Sequence, residues 1–466
     1  MMSRIIQLLF MLTCFLLFEI APSKAKAQEI LTISLKEAQD YALINNASIR
    51  NSVIDLELAG KKIWETTAIG LPQADAKVNY QHLFKVPELT FGGDYFLATG
   101  LPAGIPLTSD DITNEAVYID YRQGVPIPLG VKDNTTLDVT VSQLLFSGEY
   151  LVGLRASKVY YIMSKQAKTK TECDIRESVA NTYSLALVLQ SNLEVMSRSL
   201  QNLNKTLSEM REMNKQGFID ITDVDQVELT TLILDNSLTS LNRQALAALD
   251  LLKFEMGMPM AQDIVLTDSL QALAGDVSLE ALTADGFRVA DNINFQMLDT
   301  QLKFGKLIMQ REKTTFMPTL AAVYVHTEKF KKIDFDFTPK DVFLLSLSIP
   351  LFSGGQRISK VQQRKLEYEK ILISKDHVEQ GLQLEYVNAR NEVMSAFATY
   401  NNVKKNLELT QRIYAKTLIK YREGLSSGMD LMQAQNQYLA AQSEYFNNVY
   451  ALLTSKNRLA KLTSKQ

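Results

Sequence analysis

Two stretches of this chain decide its fold: residues 137–148, LDVTVSQLLFSG, and residues 343–354, FLLSLSIPLFSG. In each, apolar and polar side chains largely alternate up to a Phe, the pattern of a strand with two unlike faces. Each ends in Leu-Phe-Ser-Gly. After the glycine, Gly148 or Gly354, the apolar period changes to roughly 3.5 and holds for roughly seventy residues. Both glycines read as strand-to-helix elbows.

Downstream of the first copy, Ile175, Val179, Thr182, Ala186, Leu189, Leu193, Met196, Leu200, Leu203, Leu207 and Met210 form a heptad ladder whose steps alternate four and three. Gly217 is expected to end that helix in a left-handed conformation. Ile221–Gly257 then reads as a second helix running back, and Pro259 closes the half. Upstream, Ser34 and Glu37 have capping-box spacing at the head of a helix over Leu35–Thr66, which Leu71-Pro72 stops. Gln73–Phe84 alternates over about ten residues, the length of a tilted transmembrane strand. Lys85–Asn134, rich in Gly, Pro, Asp and Tyr, reads as a long loop between two strands.

The second half repeats this order. Asp291–Pro318 corresponds to Asn45–Pro72 at an offset of about 246, and from the LFSG motif onward the offset falls to about 206. The cause is a second hairpin loop, Glu328–Asp341, roughly forty residues shorter than the first. Leu382, Tyr386, Ala389, Val393, Ala396, Tyr400, Val403, Leu407 and Tyr414 continue the same ladder, Gly424 matches Gly217, and Met429–Leu462 matches the returning helix. The predicted organisation is a signal peptide over 1–27, a first repeat over 28–260, a linker over 261–279 and a second repeat over 280–466.

The export signal rests on Arg4, the apolar run Ile5 to Ile20 and the small-x-small site Ala25-Lys26-Ala27. Cys14 lies within it, behind Thr13 and in mid-run, which argues against lipidation; the mature chain keeps only Cys173 and so forms no internal disulfide. A net charge of −3 with no Lys/Arg stripe argues against nucleic acid. No later segment approaches twenty apolar residues, which excludes a spanning helix but not membrane β-strands.

A helix from about Gly148 to Gln216 would run roughly 100 Å. No compact monomer buries such a rod, so it must pack on the returning helices and on further copies of the chain. Two hairpins supply four strands, whereas membrane barrels close with at least about eight. A trimer would supply twelve. This predicts a mixed fold, long coiled-coil helices together with transmembrane β-strands that need further copies to close a barrel.

The repeated order of helix, Pro, strand, loop, strand, LFSG, long helix, Gly and helix resembles the TolC family of outer-membrane efflux proteins, over nearly the whole mature chain. The resemblance implies a homotrimer with a twelve-stranded barrel in the Gram-negative outer membrane and a helical tunnel in the periplasm. It also implies a periplasmic adaptor and an inner-membrane pump, or a type I secretion system, as partners. The function implied is a passive exit duct gated at its periplasmic end.

That entrance should lie where the long helices turn back, at Gly217 and Gly424, in the stretches GFIDITDVDQ and YREGLSSGMDLMQ. By the resemblance, Asp430 stands at the first of two acids that ring the family's closed entrance, and Gln433 at the second. Tyr421 and Asp223 match two members of the links that hold it shut. Ser426 stands where the family has the Arg completing those links, which leaves the charged lock weakened or taken over by Arg422 or another base. Acids crowded at a constriction would attract cations and have raised pKa values. The same acids also suit the first turn of a helix, with Thr222 and Ser427 placed as caps.

Other candidates carry less. His82, His326 and His377 stand apart with no second ligand at metal spacing. Gly354-Gly355 lacks the rest of a phosphate loop, and Asp223-x-Asp225 the rest of a calcium loop. Tyr80, Phe84, Phe146, Tyr324, Phe343 and Phe352 suit either interfacial girdles or ordinary strand positions. No nucleophile–base pair is visible, so neither an enzyme nor a cofactor is expected. The rival to a channel is a periplasmic coiled-coil adaptor or scaffold without a pore, which leaves four alternating strands unexplained. Whether the loop Lys85–Asn134 plugs the outer mouth is left open by the sequence.

Overall fold

The computed structural model describes residues 31–91, 125–128, 130–275, 286–331 and 338–463. The expected signal peptide, most of the first loop (92–124), part of the linker (276–285) and the tip of the second loop (332–337) lie outside them. The chain forms two compact units. One comprises Met1–Gly60, Val159–Lys303 and Glu369–Gln466, the other Lys61–Lys158 and Phe304–Tyr368.

The smaller unit is built on an antiparallel four-stranded sheet of β2 (Gln73–His82), β5 (Asp133–Ser147), β7 (Thr319–Lys329) and β8 (Asp341–Ser348), in the order β2-β5-β7-β8. Each repeat supplies one hairpin, and β5 pairs with β7 to join them. The register sorts the faces as the alternation requires. Ala74, Val141, Tyr324 and Phe343 form one cross-strand row, while Asp75, Thr140, Val325 and Val342 form a row on the other face. On the latter face Asn79 and Thr327 donate to the two oxygens of Asp138, at 2.7 and 2.8 Å.

The first loop contributes structure of its own. β3 (Glu88–Phe91) pairs antiparallel with β4 (Val125–Pro128), and β5 starts at Asp133, four residues before the expected Leu137. Two of the three histidines, His82 and His326, have carboxylate partners. The Tyr80 hydroxyl and His82 Nδ1 lie 2.9 and 2.6 Å from Asp133 Oδ1, and Tyr324 and His326 meet Asp341 Oδ1 in the same way at 2.6 and 2.7 Å. His82 faces Asp133, and His326 faces Asp341, on the last rung of its hairpin. Duplication of the chain therefore duplicated a Tyr–His–Asp clasp.

The two LFSG motifs differ. β5 runs to Ser147 and the helix α3 (Gly148–Lys215) starts at once, whereas β8 stops at Ser348 and the helix α7 (Gln356–Arg422) starts only after Gly354 and Gly355, at φ +57° and +84°. Pro350 is the cause: it has no N–H to donate to a ladder. Leu351 and Phe352 are left almost fully exposed, at 92% and 89%. The second strand is thus shorter than its motif. Only the second elbow is a left-handed turn; a side chain on Gly148 would instead press on Thr314 and Met317, its Cβ 2.8 Å from Thr314 Cβ and Met317 Sδ.

The larger unit is helical around a small parallel pair. β1 (Leu31–Ile33) pairs with β6 (Ile264–Leu266), so the described part of the stretch expected to be a linker includes packed structure. Ile264 and Leu266 of β6, with Leu270 and Ala274 of α5 (Leu270–Gly275), join a core containing Val179, Tyr183 and Leu252. The buried Tyr183 hydroxyl donates to Asp268 Oδ2 at 2.8 Å and lies 3.1 Å from the Ile33 carbonyl. Both heptad ladders are buried or half-buried along their whole length.

The expected helix Leu35–Thr66 is two, α1 (Leu35–Asn45) and α2 (Ala47–Ala68). Asn46 divides them: it ends α1 in an extended conformation, accepts from Ser48 N at 2.7 Å, and donates to the Glu255 carbonyl at 2.6 Å. Its counterpart Asn292 caps α6 (Ile293–Thr314) in the same way, accepting from Asn294 N at 3.0 Å. The capping box of Ser34 and Glu37 is formed as expected. No helix among the described residues is long and apolar enough to cross a membrane.

Candidate functional site at the helical turns

Both long helices end on the same motif. At the end of α3 the Phe218 amide donates to the Met213 carbonyl and the Gly217 amide to that of Asn214; at the end of α7 Leu425 reaches Lys420 and Gly424 reaches Tyr421. Gly217 and Gly424 have φ of +76° and +71°, the left-handed residue this termination requires. The return helices α4 (Ile221–Met256) and α8 (Gly428–Thr463) then begin.

Their caps differ. Asp220, not Thr222, caps α4, accepting from Thr222 N at 2.9 Å and Thr222 Oγ1 at 2.7 Å. Ser427 caps α8 together with Asp430: Asp430 N donates to Ser427 Oγ at 3.2 Å, and Ser427 N donates back to Asp430 Oδ2 at 3.1 Å. The hydroxyls of Ser427 and Ser426 add bonds to Asp430 Oδ2 of 2.8 and 3.2 Å. In the single chain these bonds, from the Ser427 side chain first and then its backbone, hold the Asp430 carboxyl below its ordinary pKa. The rise expected from crowding is an effect of several copies together and would act against these bonds.

Asp223 does something else. Its carboxyl lies against the Cα of Gly428, in the space a side chain there would take: a Cβ at position 428 would stand 2.6 Å from Asp223 Cγ. Close by, Tyr421 is buried at the end of α7 among Leu203, Leu207, Met210, Val224, Val227, Leu234 and Leu431. Its hydroxyl is buried with no hydrogen-bond partner among the described residues. Burial first, and the charge of Asp223 second, push that phenol up to about 12. These two residues share one locus without a hydrogen bond between them.

Arg422 lies 2.9 Å from Glu209 across α3 and α7. Ser426 serves Asp430, and Gln433 is exposed on α8. The structure therefore gathers Asp223, Tyr421 and Gly428 in one place and Asp430, Ser426 and Ser427 in a local cap. Sequence reasoning missed Asp220, Glu209 and Gly428. An acid just before Ile-Thr-Asp could have been read as a cap, and Gly428 four residues after Gly424 could have been read as a close approach. Nothing in the sequence ties Glu209 to Arg422. Among the described residues no group of three His, Cys, Asp or Glu could hold a metal ion.

Residues 312–465 match the sequence pattern of the family described as outer membrane efflux protein. That match spans about a third of the chain, within its second half. Nearly the whole length of the chain shares the fold of solved outer-membrane channels at low identity. The outer membrane protein VceC of Vibrio cholerae is 16% identical with a TM-score of 0.68, over 92% of this chain and 96% of that one. The MtrE outer membrane channel of Neisseria gonorrhoeae, solved in its open state, is 14% identical with a TM-score of 0.68, over 92% and 88%. The Campylobacter jejuni CmeC outer membrane channel is 14% identical with a TM-score of 0.68, over 92% and 85%. No curated protein matches the sequence. Residues 312–465 are thus similar to outer membrane efflux proteins, and the fold is that of outer-membrane channels.

Proposed function

We propose that this chain is the gated exit duct of a tripartite efflux pump or type I secretion system, working as a homotrimer. The observation that carries the trimer is the open sheet, in which β2 and β8 each have only one partner among the described residues. Unpaired N–H and C=O groups facing lipid cost several kcal/mol each. Joining β8 of one copy to β2 of the next removes both edges, and three four-stranded sheets exceed the minimum of about eight strands for closure.

The turns at Gly217 and Gly424 form the periplasmic entrance in this reading, as the family resemblance implies. Asp223, Tyr421 and Asp430 belong to it, and one ring of three Asp430 carboxylates makes it cation-attracting. Gln433 contributes no charge, so the filter is a single ring. Docking of the adaptor and the inner-membrane pump untwists the helices, and the pump supplies the energy.

The test is imaging and conductance of the full-length protein extracted in detergent from isolated outer membranes. The expected particle is a threefold tube whose cation selectivity falls in Asp430→Asn. A monomeric particle, or absence from that fraction, sinks the duct and restores the pore-free scaffold.

A further inference from the structure

The two return helices share a layout of cap and third-residue acid but part at their first helical residue. Asp220 and Ser427 are the caps, and Asp223 and Asp430 are the third helical residues, but the first helical residue is Ile221 in α4 and Gly428 in α8. Asp430 folds back on its own cap. Asp223 has no such place, because the Asp220 carboxylate already occupies the cap of α4. Its carboxyl reaches the other repeat and rests on bare Cα at Gly428. A methyl there would come within 2.6 Å of Asp223 Cγ and 3.2 Å of Asp223 Cβ. Carbon atoms cannot approach so closely, whereas the short Asp223 side chain can rotate away without moving either helix. The contact is thus adjustable at the side chain and not at the fold.

We infer that Gly428 is a positioning residue of the closed entrance: its missing side chain is the seat that lets Asp223 of the first repeat dock on the second. This rests on the reading of the turns as the entrance. It adds that closure depends on an empty position as much as on the charged residue. It also sets an unusual sign. Gly→Ala inside a helix ordinarily stabilises, so a channel opened by Gly428→Ala would be opened by eviction of Asp223 and not by weakening of α8.

The test is single-channel conductance in planar bilayers of the full-length trimer, with trimer melting recorded in parallel, for Asp223→Ala, Gly428→Ala and the double variant. Asp223→Ala is expected to raise conductance several-fold. Gly428→Ala should do the same with melting unchanged or higher, and the double variant should go no further than either. If Asp223→Ala opens the channel while Gly428→Ala conducts like the parent, the seat is overturned and the entrance stands. Effects that multiply in the double variant also overturn the seat, since the two residues would then act separately. If Asp223→Ala leaves conductance at the parental level, the entrance reading fails and the seat falls with it.

Discussion

Asp223 and Asp430 occupy the same third position of the two return helices, yet only Asp430 closes a capping box on its own N-cap, Ser427. The bonds from Ser427 depress the Asp430 pKa, so the ionised carboxyl is favoured in the folded state. The stabilisation it gives is therefore complete above the unfolded value of about 3.9 and lost as pH falls through the lower folded value. Hydrogen exchange at Leu431 and Met432, corrected for intrinsic rates, should quicken in that acid window. In Asp430→Asn it should be fast throughout and flat with pH. Ser427→Ala should destabilise the start of α8 by roughly 0.5–2 kcal/mol. A flat acid profile in the parent protein would contradict the cap.

Tyr421 gives a prediction at the opposite end of the pH scale. Its phenol is raised from 10.0 to about 12, so the folded chain favours the neutral form. That contribution is present below pH 10 and is lost as pH rises towards 12. Tyr421→Phe deletes a buried hydroxyl that has no partner among the described residues and keeps the ring in its cluster. Melting at neutral pH should stay level or rise by up to about 1 kcal/mol, since no bond is broken. The alkaline decline of melting should become shallower. A neutral-pH loss above roughly 1.5 kcal/mol would reveal a hydroxyl partner supplied by another copy.

The ion pair of Arg422 and Glu209 joins α7 of the second repeat to α3 of the first, at 2.9 Å, with both side chains roughly 40% exposed. Exposed pairs contribute about 0.2–1 kcal/mol and are screened by salt. Reversing Glu209 to Arg should raise the open probability of the channel modestly at low ionic strength and hardly at all at high. The swap of Glu209→Arg with Arg422→Glu should restore the parental value. The same open probability in all three proteins at every ionic strength would show that the pair contributes nothing to closure.

The repeat, the strands and the long helices were legible because each rests on a local pattern: period two, period 3.5, and a glycine where a helix ends. The Asn46–Asn292 correspondence bears this out, since both residues cap helices of 22 residues. Burial of residues 264–274 was not legible, because a three-residue strand and a six-residue helix are too short to show a period. Their structure depends on β1, over two hundred residues away in the chain. The site divides in the same way. Gly217, Gly424 and Ser427 act within a few residues of themselves and were readable. Asp223 on Gly428 and Arg422 on Glu209 are contacts between repeats, which no spacing encodes. The Tyr–His–Asp clasps fall between: Tyr-x-His occurs in both halves, at 80–82 and 324–326, but each aspartate lies across its loop.

The two elbow glycines should respond oppositely to one substitution. Gly354 has φ of +57° and open space around it, while Gly148 begins a helix and its Cβ would stand 2.8 Å from Thr314 Cβ and Met317 Sδ. The first position needs a conformation and the second needs volume. Gly354→Ala should cost roughly 1–2 kcal/mol through left-handed strain, and Gly354→Asn should recover much of that, because Asn adopts such angles readily. At Gly148, Ala should cost about 1–3 kcal/mol through overpacking, partly offset by about 1 kcal/mol of helix propensity. Asn there should be worse than Ala, being larger. The yield and melting of folded trimer in isolated outer membranes would read both series. If Asn rescues at position 148 and not at 354, the two LFSG motifs have been assigned the wrong constraints.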